Sequence, residues 1–149
     1  MARELCLVDT NILIRWVRRE VQDFKIVVAA IEQLARLSSI ACYTSQNLGE
    51  FWNVMTRPAD RNGYGLSPAE ANLHAIDIET SFRLLPDNLE VHEEWRRLLV
   101  AHRVSGTQVH DARLAAAMHV HGVKRILTLN TRDFARFTDI EAIHPADLS

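Results

Sequence analysis

Cysteine is scarce in this chain, with two residues in 149, and both Cys6 and Cys42 stand in short apolar runs. Neither is spaced from another cysteine or a histidine pair as a metal site requires, so buried free thiols in a reducing compartment are expected. Long apolar runs are absent too. Nothing approaches the ~20 residues a membrane span needs, and no N-terminal stretch resembles a secretory signal. A soluble, cytoplasmic protein with no membrane partner is the expectation. Excess charge of one sign is also missing: 17 Lys and Arg face 19 Asp and Glu, for a net charge of −2. That argues against a general nucleic-acid-coating protein but leaves room for a local basic rim. Repeats, low-complexity tracts and linkers are lacking. Together with the globular composition, this predicts a single domain over residues 1–149.

What is present is an alternation of apolar strands and amphipathic helices. Leu5-Cys6-Leu7-Val8 is an apolar run of the kind buried on both faces of a parallel sheet. Residues 10–19 follow at helical spacing, with Arg15, Arg18 and Arg19 on one face. A second helix carries Phe24, Val27, Val28, Ile31 and Leu34, with Asp23 as its expected cap. Ile40 to Thr44 reads as a strand, and Ser45 as the cap of a helix running to about Arg57, where Pro58 stops it. Residues 58–66 are the clearest loop. Ser67-Pro68-Ala69-Glu70 is a capping box with proline at the first helical position, opening a helix to about Thr80. Phe82 to Leu85 reads as a strand and 88–103 as a helix. Val109 to His121 is apolar nearly all round, so a buried helix is expected, closed by Gly122. Arg125 to Leu129 and Glu141 to His144 complete the strands. The pattern predicts an α/β fold of three α/β/α layers around a central, mostly parallel sheet of about five strands.

Four acids fall at informative places. Asp9 follows the first strand, Asp133 follows the fourth after a short turn, Asp111 lies in the first turn of the buried helix, and Glu50 sits in the third helix. In open α/β sheets ligands bind at the carboxyl ends of strands. Carboxylates crowded there repel unless a cation joins them, and oxygen ligands suit Mg²⁺ or Mn²⁺. Such a site can activate water and steady the charge of a phosphoryl displacement. Each acid also has an ordinary explanation. Asp9 could cap a helix, Asp111 could complement a helix dipole, and Asp133 could be a turn acid. Glu50 points nearly opposite the apolar stripe of Leu48, Phe51, Trp52 and Met55, as a solvated glutamate would.

Taken together, Val8-Asp9-Thr10-Asn11, Asn47-Leu48-Gly49-Glu50-Phe51, Val109-His110-Asp111-Ala112 and Thr128-Leu129-Asn130-Thr131-Arg132-Asp133-Phe134 resemble a PIN domain. The closer likeness is to VapC-like ribonuclease toxins of toxin–antitoxin modules, in order and spacing along nearly the whole chain. The resemblance implies a Mg²⁺- or Mn²⁺-dependent endoribonuclease that hydrolyses RNA with a metal-activated water. Asp9, Glu50, Asp111 and Asp133 would form the acidic, metal-holding cluster, and Asn11 and Asn130 would support it. It further implies a homodimer and a protein antitoxin as partner. Relatives often carry another acid near Asn130, which leaves open whether Asp133 alone fills the fourth position and whether one ion or two bind. Arg15, Arg18, Arg113 and Arg132 are candidates for phosphate contacts.

Other readings of the same residues are weaker. Asp9-Thr10-Asn11 is also similar to aspartyl-nucleophile phosphatases, but Asn11 has no proton to give a leaving group. His110-Asp111 resembles the HD phosphohydrolases, yet those are all-helical and need further histidines. His119 and His121 lie two apart on a helix and face different ways. A housekeeping PIN nuclease, or a PIN domain that binds RNA or a partner without cutting, is the alternative.

Overall fold

The computed structural model describes residues 3–148. Its five strands are β1 (Leu5–Val8), β2 (Ile40–Thr44), β3 (Arg83–Leu85), β4 (Arg125–Leu127) and β5 (Glu141–Ile143). They lie in the order β3-β2-β1-β4-β5, and every pairing is parallel. The helices are α1 (Thr10–Val17), α2 (Phe24–Arg36), α3 (Ser45–Thr56), α4 (Pro68–Ser81), α5 (Leu89–Ala101), α6 (Gln108–His121) and the short α7 (Pro145–Leu148). This is the expected three-layer architecture.

Successive residues of β1 serve opposite faces, as the two-residue period of a strand demands. Cys6 and Val8 join Ile12, Leu13, Leu34, Phe51 and Met55 in the core beneath α1 to α4. Leu7 joins Leu98, Ala115, Met118 and Ile126 beneath α5 and α6. The run of Ala112 and Leu114–Met118 is buried along α6, so the all-round apolar pattern is a helix pressed against the sheet. Gly122 closes α6 with φ +69°, a left-handed conformation that glycine adopts without strain. Both cysteines are free and buried, and burial pushes each thiol up to about 12, which leaves them inert.

Several local expectations are corrected. The first helix stops at Val17, because Arg18 takes extended backbone and turns to pair with Glu20 and lie 4.2 Å from the Tyr64 ring centre. The three-arginine face therefore does not form. Asp23 makes no capping bond and instead stands 3.9 Å from Arg15 Nε. Thr44, not Ser45, caps α3: its Oγ1 accepts from Asn47 N at 3.2 Å, and the Asn47 side chain accepts from Thr44 N at 3.0 Å. The strand after α6 ends at Leu127, two residues early, as the chain turns toward the site. The loop 58–66 contains a 3-10 turn at Ala59–Arg61, and α7 was not anticipated. Ser67, Pro68 and Glu70 form the capping box expected.

Candidate active site

The site is built where β1 and β4 end side by side. Val8 is registered against Leu127, so Asp9 and Thr128 leave the sheet as neighbours. Asp9 N donates to Leu127 O at 3.0 Å, continuing the ladder one residue beyond the strands. Thr128 Oγ1 then donates to Asp9 Oδ2 at 2.8 Å, and Thr10 N donates to Asp9 Oδ1 at 2.8 Å. Asp9 is thus the cap of α1, as its ordinary explanation had it, but its second oxygen is held from a different strand.

Asn11 and Thr128 knit the rest of this corner. Asn11 Nδ2 donates to Thr128 Oγ1 at 3.3 Å and reaches Asp9 Oδ2 at 3.5 Å, while Asn11 Oδ1 accepts from Leu129 N at 3.2 Å. Asn130 N donates to Thr128 Oγ1 at 3.0 Å, so Asn130 acts through its backbone and its side chain is exposed. Asn47, fully buried, donates to Thr10 Oγ1 at 3.1 Å and links α3 to the start of α1. Thr10, Asn47 and Thr128 stand within the motifs read from the sequence but have no role of their own there. Their signal is weak there, because small polar residues beside strands usually cap or turn.

The four acids reach this edge from four elements. Asp9 follows β1, Glu50 rises from the second turn of α3, Asp111 opens α6, and Asp133 lies in the 3-10 turn Thr131–Phe134, anchored by buried Phe134. Asp9 is buried, Asp111 half-buried, and Glu50 and Asp133 exposed. Burial raises the Asp9 carboxyl above its ordinary range, bonds from Thr128 and Thr10 pull it back in part, and Glu50 and Asp133 push it up. Asp111 is pushed up to about 7, by burial first and then by the charges of Asp133, Asp9 and Glu50, against the pull of Arg136. The acids therefore share one field. Among the described residues, however, no three His, Cys, Asp or Glu side chains stand close enough to hold a metal ion as they are.

The donor set nevertheless fits a hard cation. The acids offer carboxylate oxygens at this edge, and their mutual repulsion is what a divalent ion would relieve. Mg²⁺ keeps several waters and needs few protein ligands, so a wide set suits it better than a closed cage. Gln46 adds a further observation: its Nε2 donates to Glu50 Oε1 and to His110 O, both at 2.9 Å, while its buried Oε1 has no partner among the described residues.

The candidate arginines divide. Arg15 donates to Asn11 O at 3.3 Å, one turn along α1 from Asp9. Arg132 is exposed beside Asp133. Arg18 is engaged at the far end of α1, and Arg113 is held by Asp87 at 2.8 Å, so neither joins the acids. Arg136, which the sequence reading missed, stands near Asp111 and donates to His102 O at 3.3 Å and to Gln108. His119 lies between Glu94 and Asp139, and His121 beside the Pro86 carbonyl, so the two do not form a chelate.

Comparison with known proteins bears on the fold and the family. A family model described as the PIN domain matches residues 6–140, and the chain belongs to the PIN-domain family. In fold it is similar to VapBC2 from Rickettsia felis bound to a promoter DNA fragment, at 12% identity and TM-score 0.69, covering 94% of this chain and 98% of that one. It is similar also to FitAcB from Neisseria gonorrhoeae, at 20% identity and TM-score 0.67, covering 96% and 99%. A toxin–antitoxin complex from Klebsiella pneumoniae matches at 19% identity and TM-score 0.63, covering 94% and 97%. At these identities the likeness is one of fold. No curated protein matches.

Proposed function

We propose that this PIN-domain chain is a Mg²⁺- or Mn²⁺-dependent endoribonuclease and serves as the toxin of a toxin–antitoxin pair. The observation that carries the reading is the gathering of Asp9, Glu50, Asp111 and Asp133 at one sheet edge, within electrostatic reach of one another, with Asp9 locked by Thr128. Asp9 and Asp111 would hold the ion, and Glu50 and Asp133 would complete the set or orient water. When bound, the ion supplies Lewis acidity and charge neutralisation for phosphodiester hydrolysis.

The chain's own residues do the rest. Thr128, Thr10 and Asn11 fix the Asp9 carboxylate so that its charge stays aimed at the edge of the sheet. Gln46 ties Glu50 on α3 to the backbone of α6. Arg15 and Arg132 remain the candidates for backbone-phosphate contacts, whereas Arg18 and Arg113 are committed elsewhere. The fold likeness to a toxin–antitoxin complex supports an antitoxin partner, and we carry homodimerisation as part of the same reading.

The rival reading is a PIN domain that binds RNA without cutting it. Incubating purified protein with RNA decides between them. Cleavage with Mn²⁺ that EDTA abolishes, and that an Asp9→Asn preparation lacks, is the expected result. RNA that is retained but remains intact would favour the rival.

A further inference from the structure

A second cleft opens at the opposite edge of the sheet, where the strands begin. Arg83 and Arg125 are the first residues of β3 and β4, Lys124 precedes β4, and Arg3 precedes β1. These four cations line one cavity of about 480 Å³, together with Glu4 and His121. Leu5 is the one apolar residue in its wall, and the four cations set its charge. His121 Nε2 lies 2.8 Å from the Pro86 carbonyl oxygen and forms wall only.

The charge there is not neutralised. Glu4 lines the cavity, and Glu141 stands 3.6 Å from Arg125 Nε, beyond hydrogen-bonding distance. Setting these two acids against the four cations leaves two positive charges. The carbonyl end of α6 subtracts roughly half a charge more, which does not change the sign. Arg125 Nε is buried and has no hydrogen-bond partner among the described residues. Guanidinium forks match phosphate oxygens in pairs.

We propose that this cleft binds a free polyphosphate anion of nucleoside di- or triphosphate size, with Arg83, Lys124 and Arg125 as its phosphate contacts. The cavity lies within the usual range for small-ligand sites, roughly 300–1,000 Å³. It is separated from the four acids by the length of the strands, so the inference does not depend on the nuclease reading.

Calorimetric titration in EDTA tests it, with pyrophosphate, ATP, adenosine and a short oligoribonucleotide lacking terminal phosphates as probes. Pyrophosphate and ATP are expected to bind, with affinity falling as salt rises, and adenosine is not. Both Arg83 and Lys124 are exposed, so a double Arg83→Gln, Lys124→Gln variant should fold, with circular dichroism as the check. It should lose at least about tenfold in affinity, while Asp9→Asn binds as wild type. Failure of pyrophosphate and ATP to bind, or undiminished binding by the double variant, overturns the proposal. Binding of the oligonucleotide alone also overturns it, and makes the cleft a track for an RNA strand.

Discussion

Thr128 illustrates how one hydroxyl can decide what a carboxylate does. It donates to Asp9 Oδ2 while accepting from Asn130 N and Asn11 Nδ2. Thr128→Val keeps the shape and removes all three contacts. We expect RNA cleavage to fall by about 10- to 100-fold, the usual cost of losing a group that orients a metal-holding side chain, and Thr128→Ser to retain most of it. Equal loss in both variants would mean that the methyl, not the hydroxyl, matters. Asp111 supplies the pH signature. Its folded-state pKa of about 7 lies above the ordinary 3.8, so the native state binds the proton more tightly than the unfolded chain does. Its stabilising contribution is therefore complete below about pH 4 and is lost as pH rises through 7. Metal-free protein should lose stability between pH 5 and 8, and Asp111→Asn should flatten that slope. Denaturant titrations in EDTA at the two pH values measure both.

At the scale of elements, the two capping boxes do different work. The box at the start of α4, Ser67 with Glu70, is exposed and serves its own helix. Ser67→Ala should cost about 1 kcal/mol. The box at the start of α3 is buried, and its Asn47 also carries the bond to Thr10 on α1. Asn47→Ala leaves Thr44 N and Thr10 Oγ1 short of partners in the interior, so roughly 2–4 kcal/mol is expected. Since Thr10 N is one of the donors to Asp9, cleavage should fall as well. Chemical denaturation of both variants compares the costs, and a buried box no costlier than the exposed one would deny Asn47 its linking role.

The whole molecule is organised as a sheet with like charge gathered at each edge, acids where the strands end and cations where they begin. Repulsion among the acids strains the metal-free fold, and a divalent ion should relieve it. At about 100 times its dissociation constant, Mn²⁺ should stabilise the native state by roughly 2.7 kcal/mol. For a chain of this length that is a melting shift on the order of 5–10 °C. Asp9→Asn should melt higher than wild type in EDTA and gain little from Mn²⁺. If Asp9 did no more than cap α1, both proteins would ignore the metal, because asparagine caps nearly as well as aspartate. Thermal melts of the pair in EDTA and in Mn²⁺ distinguish the two cases.

Much of this architecture is legible in the residues themselves. The burial of Leu5–Val8 on both faces, the apolar girth of α6, the capping box at Ser67 and the glycine at 122 are local matters, set by side-chain direction and backbone freedom within a few residues. That Asp9 leaves a strand and Asp111 opens a helix belongs to the same class. What lies beyond local pattern is anything that depends on which strand lies beside which. Periodicity marks Glu50 as solvated, and it is exposed; only the meeting of the starts of α3 and α6 at the sheet edge, where Gln46 reaches the His110 carbonyl, brings that solvated face toward the other acids. Arg18 shares a helical spacing with Arg15 and Arg19 that suggests a basic face, but the helix ends before it and Glu20 and Tyr64 engage it, while Arg113 is held by Asp87, 26 residues away. Thr128 reads as the end of a strand, 119 residues from the carboxylate it holds. The register of β4 on β1 makes that contact, and a register is set by two chains of backbone hydrogen bonds at once, which no single stretch of sequence contains.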